Sequence, residues 1–589
     1  MSFGFGFALT AIAKAIFSPR SLFSTGAQGA WYDPSDYTTL FEDAAGTIPI
    51  TSPLEKPVGL MLDKSKGLAL GSELVTNGDF SNGTTGWTLA ACWSLSNGKL
   101  VKTAGSVGDR FYQTGIAAAN TYYEISFDLV VNAGSITGTS QLGGVQFGVS
   151  FTTSGRKTVR VLTTSANSLS IFADTAFDGS VDNVSVKQVT GNHATQSTTT
   201  SRPTLSARYN LLTYTEKFDD AAWTKANATV TSNATTAPDG TNTADALLEK
   251  AETVAHFVSY SSVGNALQNQ TFSCYIKPNG RNYCVLYLVQ TGAAGYLYAY
   301  FDLTGSGSVN SSGKSGVAPN NPTVAIEPAA NGFFKCSVTG IAGTSNTTCY
   351  VQINPINTVS PIPAGDSYAG DTSKGIYIWG ADLRVANDGI GLPAYQRVNT
   401  ATDYDYAGFP PYLKFDGTDD SMATGSIDFT GTDKMFVAAG VRKLSDAASA
   451  ILLEYSNDIN NYAGTFGMYP QGIGASAAYI SGSRGTVYSG SNFATATPFN
   501  APITNVVTSI CAISTDKNIL RINGTQAASS TADQGTGNYG NYPLYIGRRG
   551  GSTLPFNGRL YSLVVCGKLA SAAEITATEA WVNQKTRAF

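Results

Sequence analysis

The sequence predicts an all-β chain: several antiparallel β-sandwich (jelly-roll) domains and one C-terminal capping helix. Three observations carry this. Only 13% of the 589 residues are charged, against roughly 25% in an ordinary soluble protein; Gly (62), Ser, Thr and Asn stand in their place. Aromatics are plentiful, with 30 Tyr and 28 Phe, which excludes a disordered chain, since such chains are aromatic-poor. Short runs of period-two alternation are punctuated by Asn77-Gly78, Asn97-Gly98, Asp239-Gly240, Asp416-Gly417 and Asn523-Gly524, the pattern of short strands joined by tight turns. The net charge of −4, with no Lys/Arg block, removes the electrostatic basis for nucleic-acid binding. A surface of hydroxyls, amides and aromatic faces suits uncharged partners: glycans, or sister subunits in a homo-oligomer.

The elements follow in chain order. Residues 3–17 (FGFGFALTAIAKAIF) are apolar except for Thr10 and Lys14. The run is too short and Gly-rich to insert in a membrane and has no basic region before it, so residues 1–28 are read as a segment that docks on a larger assembly. Tyr123, Ile125, Phe127 and Leu129 alternate onto one strand face, as do Val159 and Val161. Tyr296, Tyr298 and Tyr300 share one face of a later strand, with Leu297 and Ala299 on the other; either face can be core. Near the end, Ser571 and Glu574 form a capping box ahead of Ile575, Thr578, Trp581 and Val582 at helical spacing.

Candidates for chemistry are few. The two histidines, His193 and His256, leave little room for a zinc site or a triad, and each is read as structural. The spacing of the acidic pairs Asp219-Asp220 and Asp419-Asp420 does not show that they face a substrate, and Asp416 with Asp419-Asp420 is read as turn chemistry, so no catalytic residue is assigned. The seven cysteines (Cys92, Cys274, Cys284, Cys336, Cys349, Cys511, Cys566) lack a CxxC pair and often sit in apolar runs. They are read as buried free thiols, with a Cys336–Cys349 disulfide as the alternative. Exposed aromatics can stack on sugar C–H faces; Trp93, Tyr112, Tyr296, Tyr298 and Tyr300 are the candidates, whereas Trp223 and Trp379 look like core.

Longer motifs add resemblances. The stretch 73–87 (ELVTNGDFSNGTTGW) with 177–186 (FDGSVDNVSV) resembles the opening and closing strands of jelly-roll carbohydrate-binding modules, which implies such a module over 68–189, with Trp87 in its core. Residues 210–223 (NLLTYTEKFDDAAW) and 375–383 (GIYIWGADL) repeat that plan and imply a second jelly roll over 209–403. The pieces 59–67 (GLMLDKSKG), 191–196 (GNHATQ), 202–204 (RPT), 412–420 (YLKFDGTDD), 518–524 (NILRING) and 556–565 (FNGRLYSLVV) resemble a laminin-G/concanavalin A-like sandwich. Here that sandwich would be split over 29–67, 190–208 and 404–589, with the jelly rolls inserted in its loops. No cofactor is required, but such modules often carry structural calcium; the resemblance implies Asp79 and Asp182 as its best pair of ligands. Finally, 26–41 (GAQGAWYDPSDYTTLF) and 56–63 (KPVGLMLD) are similar to bacteriophage virion proteins. That likeness implies a tail fibre or surface appendage, assembled in host cytoplasm and extracellular in the mature particle, docked on other virion proteins by residues 1–28 and contacting host surface glycan. A polysaccharide depolymerase and a purely architectural capsid decoration or collar protein are the alternatives.

Overall fold

The computed structural model describes residues 17–589 except 25, 106–108, 293–294, 346, 359–365, 387–391, 457 and 472–475. The apolar run 3–16 lies outside the described residues. Two compact units emerge: one from residues up to Ser206 together with Pro411–Phe589, the other Ala207–Pro410. The fold is all-β and antiparallel, with a single described α-helix, Ala572–Thr586. Among the described residues no helix is long and apolar enough to cross a membrane.

The first unit holds a base sandwich of two nine-stranded sheets. In one, Asn557–Cys566 is central: Gly29–Tyr32 pairs with its second half, Tyr412–Asp416 with its first, and Lys434–Lys443 runs along its other edge. The strand Thr204–Ser206 pairs with Tyr412–Asp416, Ser206 opposite Tyr412, so the chain leaves for the second unit and returns on neighbouring strands. The other sheet sets Ala194–Thr195 between Leu60–Met61 and Met422–Asp428. Buried apolar side chains from both sheets, among them Met61, Leu205, Phe415, Val437, Phe466 and Leu544, form one core.

One loop junction of this base is sewn by side chains. The buried Asp63 carboxylate accepts from the backbone N–H of Trp31, Ser65 and Asn192, each at 2.8 Å. The Asp63 N–H donates to His193 Nδ1 at 3.0 Å, and the Thr190 N–H donates to the Ala69 carbonyl at 3.0 Å. Between these lips lies a second sandwich, of a six-stranded and a five-stranded sheet, whose long strands Tyr122–Ala133 and Asp178–Val189 pair with each other. Tyr123, Ile125, Phe127 and Leu129 all face its core, as their alternation requires.

The C-terminal helix begins at the capping box: Ser571 Oγ accepts from the Glu574 N–H, and Glu574 reaches back to the Ser571 N–H at 2.8 Å. It packs on the base sandwich, burying Val582 with Leu22, Phe23, Trp31 and Phe436, and Trp31 meets Trp581 edge-to-face at 5.6 Å. Leu22 and Phe23, which the sequence places in a docking segment, are therefore part of this core. Gly440 lies beneath the helix, where a Cβ would stand 2.6 Å from Thr586 Cγ2 and 3.1 Å from Val582 Cγ1.

The second unit is a sandwich of two six-stranded sheets. Its core takes Trp223, Leu286, Leu288, Leu297, Ala299, Phe301, Val351 and Ile353 from one sheet and its approaches, and Phe272, Ile276, Val338 and Ile378 from the other. Every cysteine is free. Cys336 stands opposite Cys274 on neighbouring strands, while Cys349 belongs to the facing sheet. The alternative Cys336–Cys349 disulfide is thus not formed; the cysteine that Cys336 meets on the facing sheet is Cys284.

Candidate functional site

In the second unit, Leu297 and Ala299 are buried in the core; alternation therefore turns Tyr296, Tyr298 and Tyr300 to the opposite face. The neighbouring strand Tyr283–Gln290 adds Tyr287, directly opposite Tyr298. The rings form one contiguous set: centroids of Tyr287 and Tyr296 are 5.7 Å apart, of Tyr296 and Tyr298 6.1 Å, and of Tyr298 and Tyr300 5.7 Å. On the flanking strand Ser308–Ser315 the residues opposite Tyr296, Tyr298 and Tyr300 are Ser315, Gly313 and Ser311. These small side chains leave the ring faces uncrowded; a Cβ on Gly313 would stand 2.7 Å from the Tyr298 hydroxyl. On the other side, Gln352 lies opposite Tyr287 and Asn354 opposite Val285.

At the ring hydroxyls runs a hydrogen-bond network with one sink. Tyr287 and Tyr300 donate their hydroxyls to Asp366 at 2.6 and 2.7 Å. Asn354 Nδ2 donates to the same carboxylate at 3.2 Å, and Gln352 Nε2 donates to Asn354 Oδ1 at 2.8 Å. Because an ionised carboxylate only accepts, the direction of each bond is fixed. Burial, and next the Asp366 charge, hold the Tyr287 hydroxyl far above the usual phenol range. Burial also raises Tyr300, with Asp366 adding to it. Asp366 is only 2% exposed and has φ +66°, a left-handed conformation that costs a non-glycine residue on the order of 1 kcal/mol. A strap just beyond it is clamped: Tyr368 donates to Glu249 at 2.6 Å, Arg281 grips Glu249 with two bonds at 2.6 and 2.7 Å, and the Asp371 N–H adds a third partner at 2.8 Å.

The other residues picked from the sequence fall elsewhere. Trp93 is a correction: at 4% exposure it packs against Phe111 and Phe177 and donates its indole N–H to the Asp109 carbonyl, so no face is left to stack on a ligand. Tyr300 is likewise buried, at 5%, packed with Val285, Ile356 and Tyr368, so the accessible rings of this face are those of Tyr287, Tyr296 and Tyr298. Tyr112 is part-exposed on the five-stranded sheet of the first unit, with the Arg110 guanidinium 4.9 Å from its ring centre. Asp79 and Asp182 do not fit a calcium ion. Asp79 accepts from the N–H and Oγ of Ser81, closing its own turn, and Asp182 Oδ2 already faces a cation, the Lys99 ammonium at 3.8 Å. Trp87, Trp223 and Trp379 are core.

His193 is buried and structural: it accepts from the Asp63 N–H, so its Nε2 carries the proton and donates to the Val189 carbonyl at 3.1 Å. Burial lowers its pKa to about 4. His256 is buried between the Asn227 and Tyr368 carbonyls. Among the described residues, Asp416, Asp419 and Asp420 are the group of three carboxylates close enough to share an ion. One oxygen of each is hydrogen-bonded: Asp416 caps the Thr418 N–H at 2.7 Å, Asp420 accepts from the Asp416 N–H at 3.0 Å, and Ser201 donates to Asp419 at 2.7 Å. Burial and the neighbouring Asp416 push the Asp420 carboxyl up to about 7.

Sequence reasoning missed Tyr287, Gln352, Asn354 and Asp366. For Tyr287 a signal was present, since Tyr283, Val285, Tyr287 and Val289 alternate with Cys284, Leu286 and Leu288. For Asp366 there was none; it lies 66 residues beyond Tyr300 in a Pro/Gly-rich connection.

No family model matches the chain, and no curated protein matches it. Solved structures do align. The CBM40 module of the Ruminococcus gnavus IT-sialidase, bound to α2,3-sialyllactose, shares 17% identity, with 28% of this chain and 95% of the module covered at a TM-score of 0.22. The CBM22 tandem of Paenibacillus barcinonensis Xyn10C shares 12%, covering 54% and 98% at 0.22. Domains LG4-5 of the mouse laminin α1 chain share 13%, covering 52% and 89% at 0.21. At these scores the fold assignment rests on the strand pairing above.

Proposed function

We propose that this chain is a non-catalytic glycan-binding protein and that its platform is the tyrosine face of the second unit. The observation that carries the reading is the contiguous set of part-exposed Tyr287, Tyr296 and Tyr298 rings on the side of the sheet away from the core, with the Tyr287 hydroxyl and the buried Tyr300 beside it anchored on Asp366. Sugar C–H faces stack on such rings, while Gln352 and the phenol oxygens meet ring hydroxyls. The likeness of residues 26–41 and 56–63 to phage virion proteins supports placing this activity on a phage surface appendage that contacts host glycan.

The test is affinity electrophoresis and pull-down with host capsular and cell-wall polysaccharides, with a parallel assay for new reducing ends. Retention without chain shortening is expected, and Tyr296→Ala/Tyr298→Ala is expected to weaken it at least tenfold with the unfolding temperature unchanged within a few degrees. Retention indifferent to that double substitution would place the site elsewhere. Chain shortening would establish a depolymerase instead.

A further inference from the structure

We propose that the tyrosine face selects uncharged glycan chains over acidic ones, and that Asp366 is the residue that sets this preference. The proposal deepens the glycan-binding reading and depends on it.

Three features of the face converge. The first is charge. Asp366 sits at the hydroxyls of two of the rings and is bound by neutral donors, Tyr287, Tyr300 and Asn354. Across the sheet, successive rows of this face read Ser259, Gln352, Tyr287, Tyr298, Gly313; then Tyr350, Val289, Tyr296, Ser315; then Asn354, Val285, Tyr300, Ser311. No row contains a cation. Arg281, the nearby guanidinium, is committed to Glu249 with two bonds, and Asp302, beyond Tyr300 on the same face, adds to the negative sign. An acidic sugar meets like charge here and finds no counter-ion.

The second feature is the polarity of the hydrogen bonds. Gln352 donates to Asn354, Asn354 to Asp366, and both tyrosines to Asp366, so both tyrosine protons and one N–H of Asn354 point at the carboxylate. The Tyr287 oxygen faces the Tyr300 hydroxyl at 3.3 Å, and Gln352 keeps its Oε1 as an acceptor and its second N–H as a donor. A sugar hydroxyl can donate to that oxygen and accept from that N–H, whereas a carboxylate or sulfate can only accept. The third feature is the rings: their faces are the negative side of the quadrupole, favourable to the C–H edges of a neutral pyranose and unfavourable to an anion.

The experiment runs the full chain through native gels cast with neutral polysaccharides (xylan, galactomannan, laminarin, dextran) or acidic ones (polygalacturonate, alginate, polysialic acid) at low ionic strength. Retardation by at least one neutral polymer is expected, with every acidic polymer at least tenfold weaker and the gap narrowing as salt screens the charge. Asp366→Asn is expected to shrink the neutral-to-acidic ratio at least threefold. Gln352→Lys, which adds a cation on a part-exposed position without touching the buried carboxylate, is expected to do the same and guards against a folding defect in the first variant. Acidic polymers bound as tightly as neutral ones, or a ratio unmoved by both variants, would overturn the selectivity while leaving the platform standing. Retardation by no polymer would overturn the platform and the selectivity together.

Discussion

His193 shows how one buried side chain ties stability to pH. Its Nδ1 accepts from Asp63, so a second ring proton would point at an N–H. With the folded pKa lowered to about 4 and an unfolded value near 6.5, the unfolded chain takes up a proton first as pH falls. Stability of the first unit is expected to be indifferent to this group above about pH 7. It should decline between about pH 6.5 and 4, by about 3 kcal/mol at the bottom of that window. The difference in denaturant midpoint between the wild type and His193→Gln, whose amide oxygen can still accept from Asp63, isolates the effect; a constant difference across pH would refute it. The structural role of His193 was legible from its motif, and the outward turn of Tyr296 and Tyr298 was one of two options that alternation allowed. Asp366 was not legible, because its bonds join strands and a strap far apart in sequence, and no local pattern marks a residue whose role is tertiary.

At the scale of elements, period and capping were the readable signals. The strand holding Tyr123 to Leu129 buries the alternate residues its pattern names, and the helix starts at the Ser571–Glu574 box, since both signals are local and physical. What the helix rests on was not readable: nothing in the sequence around Gly440 shows that Val582 and Thr586 lie over it. The strand Lys434–Lys443 approaches the helix too closely for a larger side chain there. Gly440→Val is expected to destabilise the first unit by about 1–3 kcal/mol through overpacking, seen as a lower unfolding temperature with native far-UV dichroism. An unchanged midpoint would mean that the helix sits loosely on the sheet.

For the whole molecule, the core of the second unit is drawn from residues between Leu212 and Leu383, all within Ala207–Pro410. A domain with its own core is expected to fold alone. The fragment 207–410 should therefore unfold cooperatively in isolation and retain the glycan affinity. The remainder, rejoined by a short turn between Ser206 and Pro411, should keep its own transition, because Ser206 and Tyr412 are already cross-strand neighbours. Circular dichroism and limited proteolysis of the two pieces check this; a fragment that melts without a transition would show that the units are one folding body. The all-β class followed from composition and alternation. Which segments rejoin across intervening stretches could be read only from scattered motifs, because pairing between distant strands has no local period.

The contact between Trp31 and Trp581 has a mechanical consequence. It gathers the N-terminal strand and the C-terminal helix onto one sheet, so tension applied between Leu22 and that helix loads the base sandwich first, as shear along Gly29–Tyr32 against Asn557–Cys566. The sandwich between Ala69 and Thr190 hangs from a junction that Asp63 clips shut and stays slack while that junction holds. A chain built this way bears a pull through its base and spares its appended module from being stretched.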